Sequence, residues 1–67
     1  MDDPLYEKAL LVVKAAKQPS IANLQGRLLI GYNRARRLMD AMIDNGIVER
    51  VEYESGVEYR LVPNGQS

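Results

Sequence analysis

The sequence predicts an α+β fold in which three helices precede a two-stranded β-hairpin. Two patterns support this prediction. In the first two thirds of the chain, three runs place apolar residues at helical spacing, and residues that start or stop helices lie at their ends. In the last third, β-prone residues surround a short loop that contains Gly. The 67 residues, of which 46% are hydrophobic, are enough for one small domain that spans residues 1–67.

The first helix is predicted over residues 4–17. Asp3 is a favoured N-cap, and Pro4 is favoured at the first helical position. Pro19 disfavours helical backbone at the residue before it, so the helix should end near Lys17. The expected buried stripe consists of Leu5, Ala9, Val12, Val13 and Ala16.

The second helix is predicted over residues 20–28. Ser20 is a favoured N-cap, and apolar residues follow it at helical spacing. Gly26 lowers the stability of this helix, so we expect a neighbouring element to approach it closely. Gly31 then interrupts the pattern and predicts a tight turn.

The third helix is predicted over residues 32–45, and Gly46 is a typical helix stop. An advance of about 100° per residue separates apolar and polar residues onto opposite sides. The inner side should carry Ala35, Leu38, Met39 and Met42. The outer side should carry Asn33, Arg36, Arg37, Asp40 and Asp44.

A hairpin is predicted over residues 47–62, with its loop at Glu54-Ser55-Gly56, and residues 63–67 form a polar tail. Two antiparallel strands alone are only marginally stable, so the hairpin should pack on the helices. The order of helix, helix, turn, helix and hairpin is that of a winged helix-turn-helix, in which the hairpin is the wing.

Composition excludes several classes of function. The chain has no Cys, and therefore no disulfide or thiolate metal site. It has no His, which is the commonest transition-metal ligand and the usual general base near neutral pH. We therefore expect no catalysis, no metal or other cofactor and no small-molecule substrate. No apolar run approaches the length of a membrane span, so we expect no membrane contact by this domain.

The formal net charge is zero, but the charges are segregated. Residues 14–37 carry six basic and no acidic side chains, whereas residues 38–67 carry six acidic and two basic ones. Three of the arginines lie in the first turns of the third helix, where the helix macrodipole disfavours positive charge. A bound polyanion would explain this placement, and a solvated charged surface is the alternative.

A helix that follows a tight turn and begins with Asn and Arg is typical of recognition in the DNA major groove. Asn pairs with adenine, Arg pairs with guanine, and an acid accepts from cytosine or orients a neighbouring Arg. The predicted base-reading residues are Asn33, Arg36, Arg37 and Asp40. For Arg36 and Asp40, an exposed i, i+4 ion pair is the alternative.

The predicted contacts to the DNA backbone are Arg34, Tyr32, Lys17 and Arg27. Arg34 lies on the flank of the outer side of the third helix, where a phosphate contact is more natural than a base contact. For Tyr32 the alternative is packing at the edge of the core, and for Lys17 and Arg27 it is a solvated surface.

The predicted wing has an acidic tip, with Glu52, Glu54 and Glu58 close to the loop. Because acids repel phosphate, such a wing either stands away from DNA or contacts a protein. A third explanation is that the charge protects an exposed strand edge from aggregation. A winged helix that docks proteins through this surface is therefore an alternative function of another class.

Four short motifs stand out in the chain. They are Asp3-Pro4-Leu5-Tyr6, Ser20-Ile21, Ile30-Gly31-Tyr32-Asn33-Arg34-Ala35 with Arg37, and Gly46-Ile47-Val48. Together they resemble the gamma domain of FtsK/SpoIIIE DNA translocases over roughly residues 2–50. In that family the domain is a winged helix at the C-terminus of a hexameric, membrane-anchored motor, where it reads short polar DNA sequences that orient translocation. Base reading there is carried mainly by the Asn, the Arg and an acid, typically Glu, at the positions of Asn33, Arg37 and Asp40.

The resemblance implies a bacterial, cytoplasmic domain that binds double-stranded DNA without catalysis and can belong to a membrane-anchored motor. In several members the domain also activates the Xer tyrosine recombinase, so a recombinase or another protein at the wing is an expected partner. Two features differ from the family: Arg36 replaces a small residue, and the acidic residues 49–62 replace a Gly-rich wing. The wing contacts of the family are therefore not carried over residue by residue. A stand-alone regulator from a phage or another mobile element is the alternative within DNA binding.

Overall fold

The computed structural model describes residues 3–63, which form three helices followed by a two-stranded antiparallel hairpin. The elements are α1 (Tyr6–Ala15), α2 (Ile21–Leu28), α3 (Tyr32–Asp44), β1 (Val48–Tyr53) and β2 (Gly56–Leu61). This order confirms the predicted α+β class and the winged helix arrangement. Residues 64–67 of the predicted tail lie outside the described residues.

The first helix is shorter than predicted at both ends. It begins at Tyr6, with Leu5 rather than Asp3 at the N-cap position. The Asp3 carboxylate nevertheless accepts the Leu5 N–H at 2.9 Å and so orders the turn before the helix. At the other end the backbone is already extended at Ala16 (ψ 143°). The extended segment that Pro19 favours therefore begins earlier than the local sequence predicts.

The second helix has its predicted N-cap, because the Ser20 hydroxyl accepts the Asn23 N–H at 3.0 Å. Its C-terminal end differs from the prediction. Leu29 takes the left-handed conformation (φ 56°, ψ 50°), which non-glycine residues adopt infrequently, whereas Gly31 has an ordinary φ of −77°. The predicted close approach at Gly26 is wrong, since a Cβ added there would meet no heavy atom within 4 Å.

The third helix stops at Gly46 as predicted, and the stop is a Schellman motif. Gly46 has φ 77°, and its N–H donates to the Ile43 carbonyl at 3.0 Å. The Ile47 N–H donates to the Met42 carbonyl at 2.9 Å. These bonds satisfy carbonyls of the last turn, and the left-handed glycine turns the chain towards β1.

The hairpin pairs in continuous register from Val48↔Leu61 to Tyr53↔Gly56, with Glu54 and Ser55 in the loop. Val48 is buried, and Leu61 packs against the core, so the base of the wing is fixed to the helices. The buried core consists of Ala9, Val13, Leu24, Ala35, Leu38, Met39, Met42 and Val48. In the part of the chain that the structure describes, no helix is long and apolar enough to cross a membrane.

Candidate nucleic-acid interface

The outer face of α3 carries the residues predicted to read bases. These residues are Asn33, Arg36, Arg37 and Asp40, and all four are exposed. The opposite side of the helix carries the buried residues Ala35, Leu38, Met39 and Met42. The predicted division of the helix into two sides is therefore confirmed. Because the core holds the inner side, the outer face has a fixed orientation, while its contact with DNA stays a prediction.

Two of the three arginines at the start of α3 have no ion-pair partner within residues 3–63. The ion pairs of this part of the chain involve neither Arg36 nor Arg37, and they do not involve Asp40. The alternative of an Arg36–Asp40 pair is therefore wrong in this structure. Two exposed cations that form no ion pair with any described residue, in the first turns of a helix, make a surface that an external anion would stabilise.

The third arginine, Arg34, is paired with a residue far away in the sequence. Its Nη2 donates to Asp3 Oδ1 at 2.7 Å, and its Nε donates to Oδ2 at 3.0 Å, which makes a bidentate ion pair. The Arg34 side chain is 39% exposed and that of Asp3 is 13% exposed. Sequence reasoning missed this pair because 31 positions separate the two residues and no local pattern links them.

The pair strongly favours the charged form of the Asp3 carboxyl. Hydrogen bonds from Arg34 and, as the second cause, from the Leu5 N–H lower the pKa of Asp3 from 3.8 to about 2. The charge of Arg37 contributes a smaller lowering of the same pKa. In return, the hydrogen bond to Asp3 raises the pKa of Arg34.

The other three predicted backbone contacts lie in two separate places. Tyr32 is half exposed at the start of α3, about 200° around the helix axis from Arg34, so the two residues lie on different flanks of the outer face. Lys17 and Arg27 lie together instead, along a groove of about 330 Å³ between the end of α1 and one side of α2. The lining of this groove includes no residue of α3.

The acids of the wing are largely engaged within the domain. Glu52 pairs with Arg50, and Glu49 pairs with Arg60 at 3.6 Å, although these side chains are well exposed. The wing also contacts the segment between α1 and α2, because Gln18 Nε2 donates to Glu58 Oε2 at 2.7 Å. Two of the four wing acids are thus paired with arginines of the same hairpin, and the wing keeps a net negative charge.

One known family matches most of this chain in sequence. The family model described as the Ftsk gamma domain matches residues 1–56, which include all three helices and the first strand of the wing. The chain belongs to this family. The predicted resemblance to the gamma domain of DNA translocases is thereby confirmed.

Curated relatives of the chain are DNA translocases. The DNA translocase FtsK 2 of Neisseria meningitidis is 46% identical over 61 residues, covering 91% of this chain and 6% of the relative. The DNA translocase FtsK of Brucella melitensis is 44% identical over 64 residues, covering 96% of this chain and 8% of the relative. In Borreliella burgdorferi the corresponding protein is 47% identical over 47 residues, covering 70% of this chain and 6% of the relative. This gamma domain thus spans less than a tenth of the length of these relatives.

The longer matches also show whether the sequence similarity includes the wing. A match that covers 64 of 67 residues necessarily includes both strands of the hairpin. The similarity therefore extends beyond the predicted limit at residue 50 and into the segment that seemed to depart most from the family. The wing of this gamma domain has a counterpart in at least one DNA translocase.

Proposed function

We propose that this gamma domain binds double-stranded DNA in a sequence-directed manner, with α3 in the major groove and without catalysis. The observation that supports this most is the outer face of α3, where an amide, an acid and two arginines that form no ion pair with any described residue project from the helix. A helix of this kind fits the major groove, whose base edges offer matching hydrogen-bond donors and acceptors.

Each residue has a proposed role. Asn33 reads adenine, and Arg36 and Arg37 read guanine through paired hydrogen bonds. Asp40 accepts from a cytosine amino group or orients a neighbouring arginine. Arg34 and Tyr32, on the two flanks, contact phosphates of the strands that border the groove. Lys17 and Arg27 add positive charge at the groove between α1 and α2.

The names of the relatives support a role within a DNA motor. Those proteins are DNA translocases, and the chain corresponds to 6–8% of their length. The gamma domain would then be the cytoplasmic part that reads sequence and orients the movement of a membrane-anchored motor along bacterial chromosomal DNA. Motor activity itself would belong to the remainder of such a protein.

The wing supports a second proposed contact, with a protein such as a tyrosine recombinase. Tyr53 and Val57 near its tip are about half exposed, at 51% and 47%, whereas its acids are partly compensated by Arg50 and Arg60. Aromatic and aliphatic surface of this kind suits a protein better than a DNA backbone. Binding through apolar surface should change little with salt, whereas DNA binding should weaken steeply as salt rises.

The test compares sequence-specific binding of DNA with non-specific binding. Labelled duplexes are first selected from a randomised pool, and affinity is then measured for the selected duplex and for the unselected pool. Asn33→Ala and Arg37→Ala should each lose about 1–3 kcal/mol on the selected duplex and much less on the pool. Lys8→Ala, which removes a positive charge from an exposed position on α1, is the control for folding and charge. Equal losses on both duplexes would mean that the outer face does not discriminate bases.

A further inference from the structure

One polar contact of the interface is not explained by the proposed reading of bases. The Asp3 side chain, which precedes α1, is bonded to Arg34 in the first turn of α3. An acid beside a phosphate-binding arginine reduces the attraction for DNA, so its presence needs a compensating effect. Two features of the contact indicate what that effect is.

The first feature is that Asp3 is itself held in place. Its Oδ1 accepts the Leu5 N–H at 2.9 Å, and its carbonyl accepts the Tyr6 N–H at 3.0 Å. Its side chain is 13% exposed. The carboxylate is thus a fixed acceptor built into the turn before α1, and a fixed acceptor restricts the rotamers of the long arginine that it binds.

The second feature is the part of Arg34 that stays available. A guanidinium has five N–H donors, of which the Asp3 carboxylate takes one on Nε and one on Nη2, leaving three at its outer end. The Arg34 side chain is 39% exposed. Arg34 also lies about 100° around the helix from Asn33, on the flank of the outer face. Its free donors therefore lie where a strand that borders the groove would pass.

We propose that Asp3 is a positioning residue, which holds Arg34 in the conformation that binds one DNA phosphate beside the outer face of α3. This inference rests on the proposed DNA binding and goes beyond it, because it gives the turn before α1 a part in recognition. The benefit is entropic: a long side chain that is ordered before binding loses less freedom on binding. The cost is the negative charge, which salt screens over a short distance.

The experiment is a double-mutant cycle on the selected duplex at moderate salt. The variants are Asp3→Asn, Arg34→Ala and the combination of both, and Glu7→Gln removes the same charge from an exposed position in the first turn of α1. Asp3→Asn should weaken binding by about 3- to 10-fold, the cost of ordering one long side chain, and it should have no further effect once Arg34 is Ala. Glu7→Gln should leave the affinity unchanged or slightly raised.

A further variant, Arg34→Lys, keeps the charge but cannot form the bidentate pair. It should lose affinity to the same extent as Asp3→Asn, and it remains informative if Asp3→Asn proves too unstable to measure. Circular dichroism and melting of each variant separate loss of folding from loss of positioning.

Two results would overturn the proposal. One is tighter binding by Asp3→Asn than by Glu7→Gln, which would mean that Asp3 only repels DNA. The other is an equal loss from Asp3→Asn in the presence and absence of Arg34, which would mean that Asp3 acts through the fold. Failure of the unmodified domain to bind any duplex would instead contradict the proposed function.

Discussion

The outer face of α3 and the wing are both exposed and both charged, but they use their charges differently. On α3, Arg36 and Arg37 have no ion-pair partner within residues 3–63. On the wing, Arg50 and Arg60 each pair with a glutamate of the same hairpin. Among the described residues, the arginines of one surface stay outside ion pairs, whereas those of the other are paired within the hairpin.

This difference teaches that a charge count does not identify a binding surface. The wing holds four acids and two arginines, which by number appears to be a strongly acidic element. Two Glu–Arg pairs account for four of these side chains, which leaves two acids outside the pairs, beside the half-exposed Tyr53 and Val57. On α3, Asp3 binds Arg34 through two of its five N–H donors, which leaves three for an external acceptor. What remains on each surface after internal pairing is the better guide to its partner.

The largest expected effect comes from a substitution in the hydrophobic core, which supports both surfaces. Leu38 is fully buried in the core formed by α1, α2, α3 and the base of the wing. Leu38→Ala should destabilise the domain by about 2–5 kcal/mol, since it deletes buried methyl groups and leaves a cavity. Thermal melting followed by circular dichroism measures this, with Leu11→Ala, at a 69% exposed position on α1, as the control. An unchanged melting temperature for Leu38→Ala would mean that the inner side of α3 is wrongly assigned.

Most of the fold could be predicted from the sequence because its signals are local. Three predicted features depend on only a few neighbouring residues, and the structure has all of them. They are the Ser20 N-cap, the Gly46 stop and the helical spacing of apolar residues in α3. The division of α3 into an inner and an outer side followed from the same periodicity. The periodicity therefore also made the candidate base-reading residues predictable, although their contacts with DNA remain to be measured.

The parts that could not be predicted depend on tertiary structure. The Asp3–Arg34 pair joins positions 31 apart, and the Gln18–Glu58 bond joins positions 40 apart. Gly31 appeared to be the special residue of the turn, yet Leu29 adopts the left-handed conformation there. Local propensity favours glycine at such a position, and the Leu29 side chain is 88% exposed, so its own packing does not explain the conformation. The prediction for Gly26 failed in the same way, because no neighbouring element approaches this glycine within 4 Å of a Cβ added there.

A smaller effect should appear on acidification, at the flank of α3. Because the pKa of Asp3 falls to about 2 in the folded domain, from 3.8, the folded state favours the carboxylate. Its contribution to stability is therefore present above about pH 4 and is lost as the pH falls towards 2. The melting temperature of the unmodified domain should exceed that of Asp3→Asn at neutral pH, and the difference should shrink over this interval. Glu7→Gln is the control, and a difference that persists undiminished at pH 2 would contradict the assigned cause.

The smallest expected effects come from reversing one negative charge on each surface. Their DNA affinities compare the two surfaces directly. Asp44 lies on the outer side of α3 and Glu54 lies in the loop of the wing, and both are exposed. If α3 occupies the major groove and the wing stands off the DNA, Asp44→Lys should raise affinity at low salt, with a gain that shrinks as salt screens the charge. Glu54→Lys should change the affinity by less than about twofold at either salt, since a distant exposed charge contributes little.

Titration of a labelled duplex at two salt concentrations measures both gains. Glu54→Gln serves as the control that removes the charge at the wing without reversing it. A low-salt gain from Glu54→Lys as large as that from Asp44→Lys would place the wing beside the phosphates. The wing surface would then act in DNA binding and would be less available to a protein partner. An unchanged affinity for Glu54→Lys, together with a clear gain for Asp44→Lys, would assign DNA to α3 and leave the wing free for another contact.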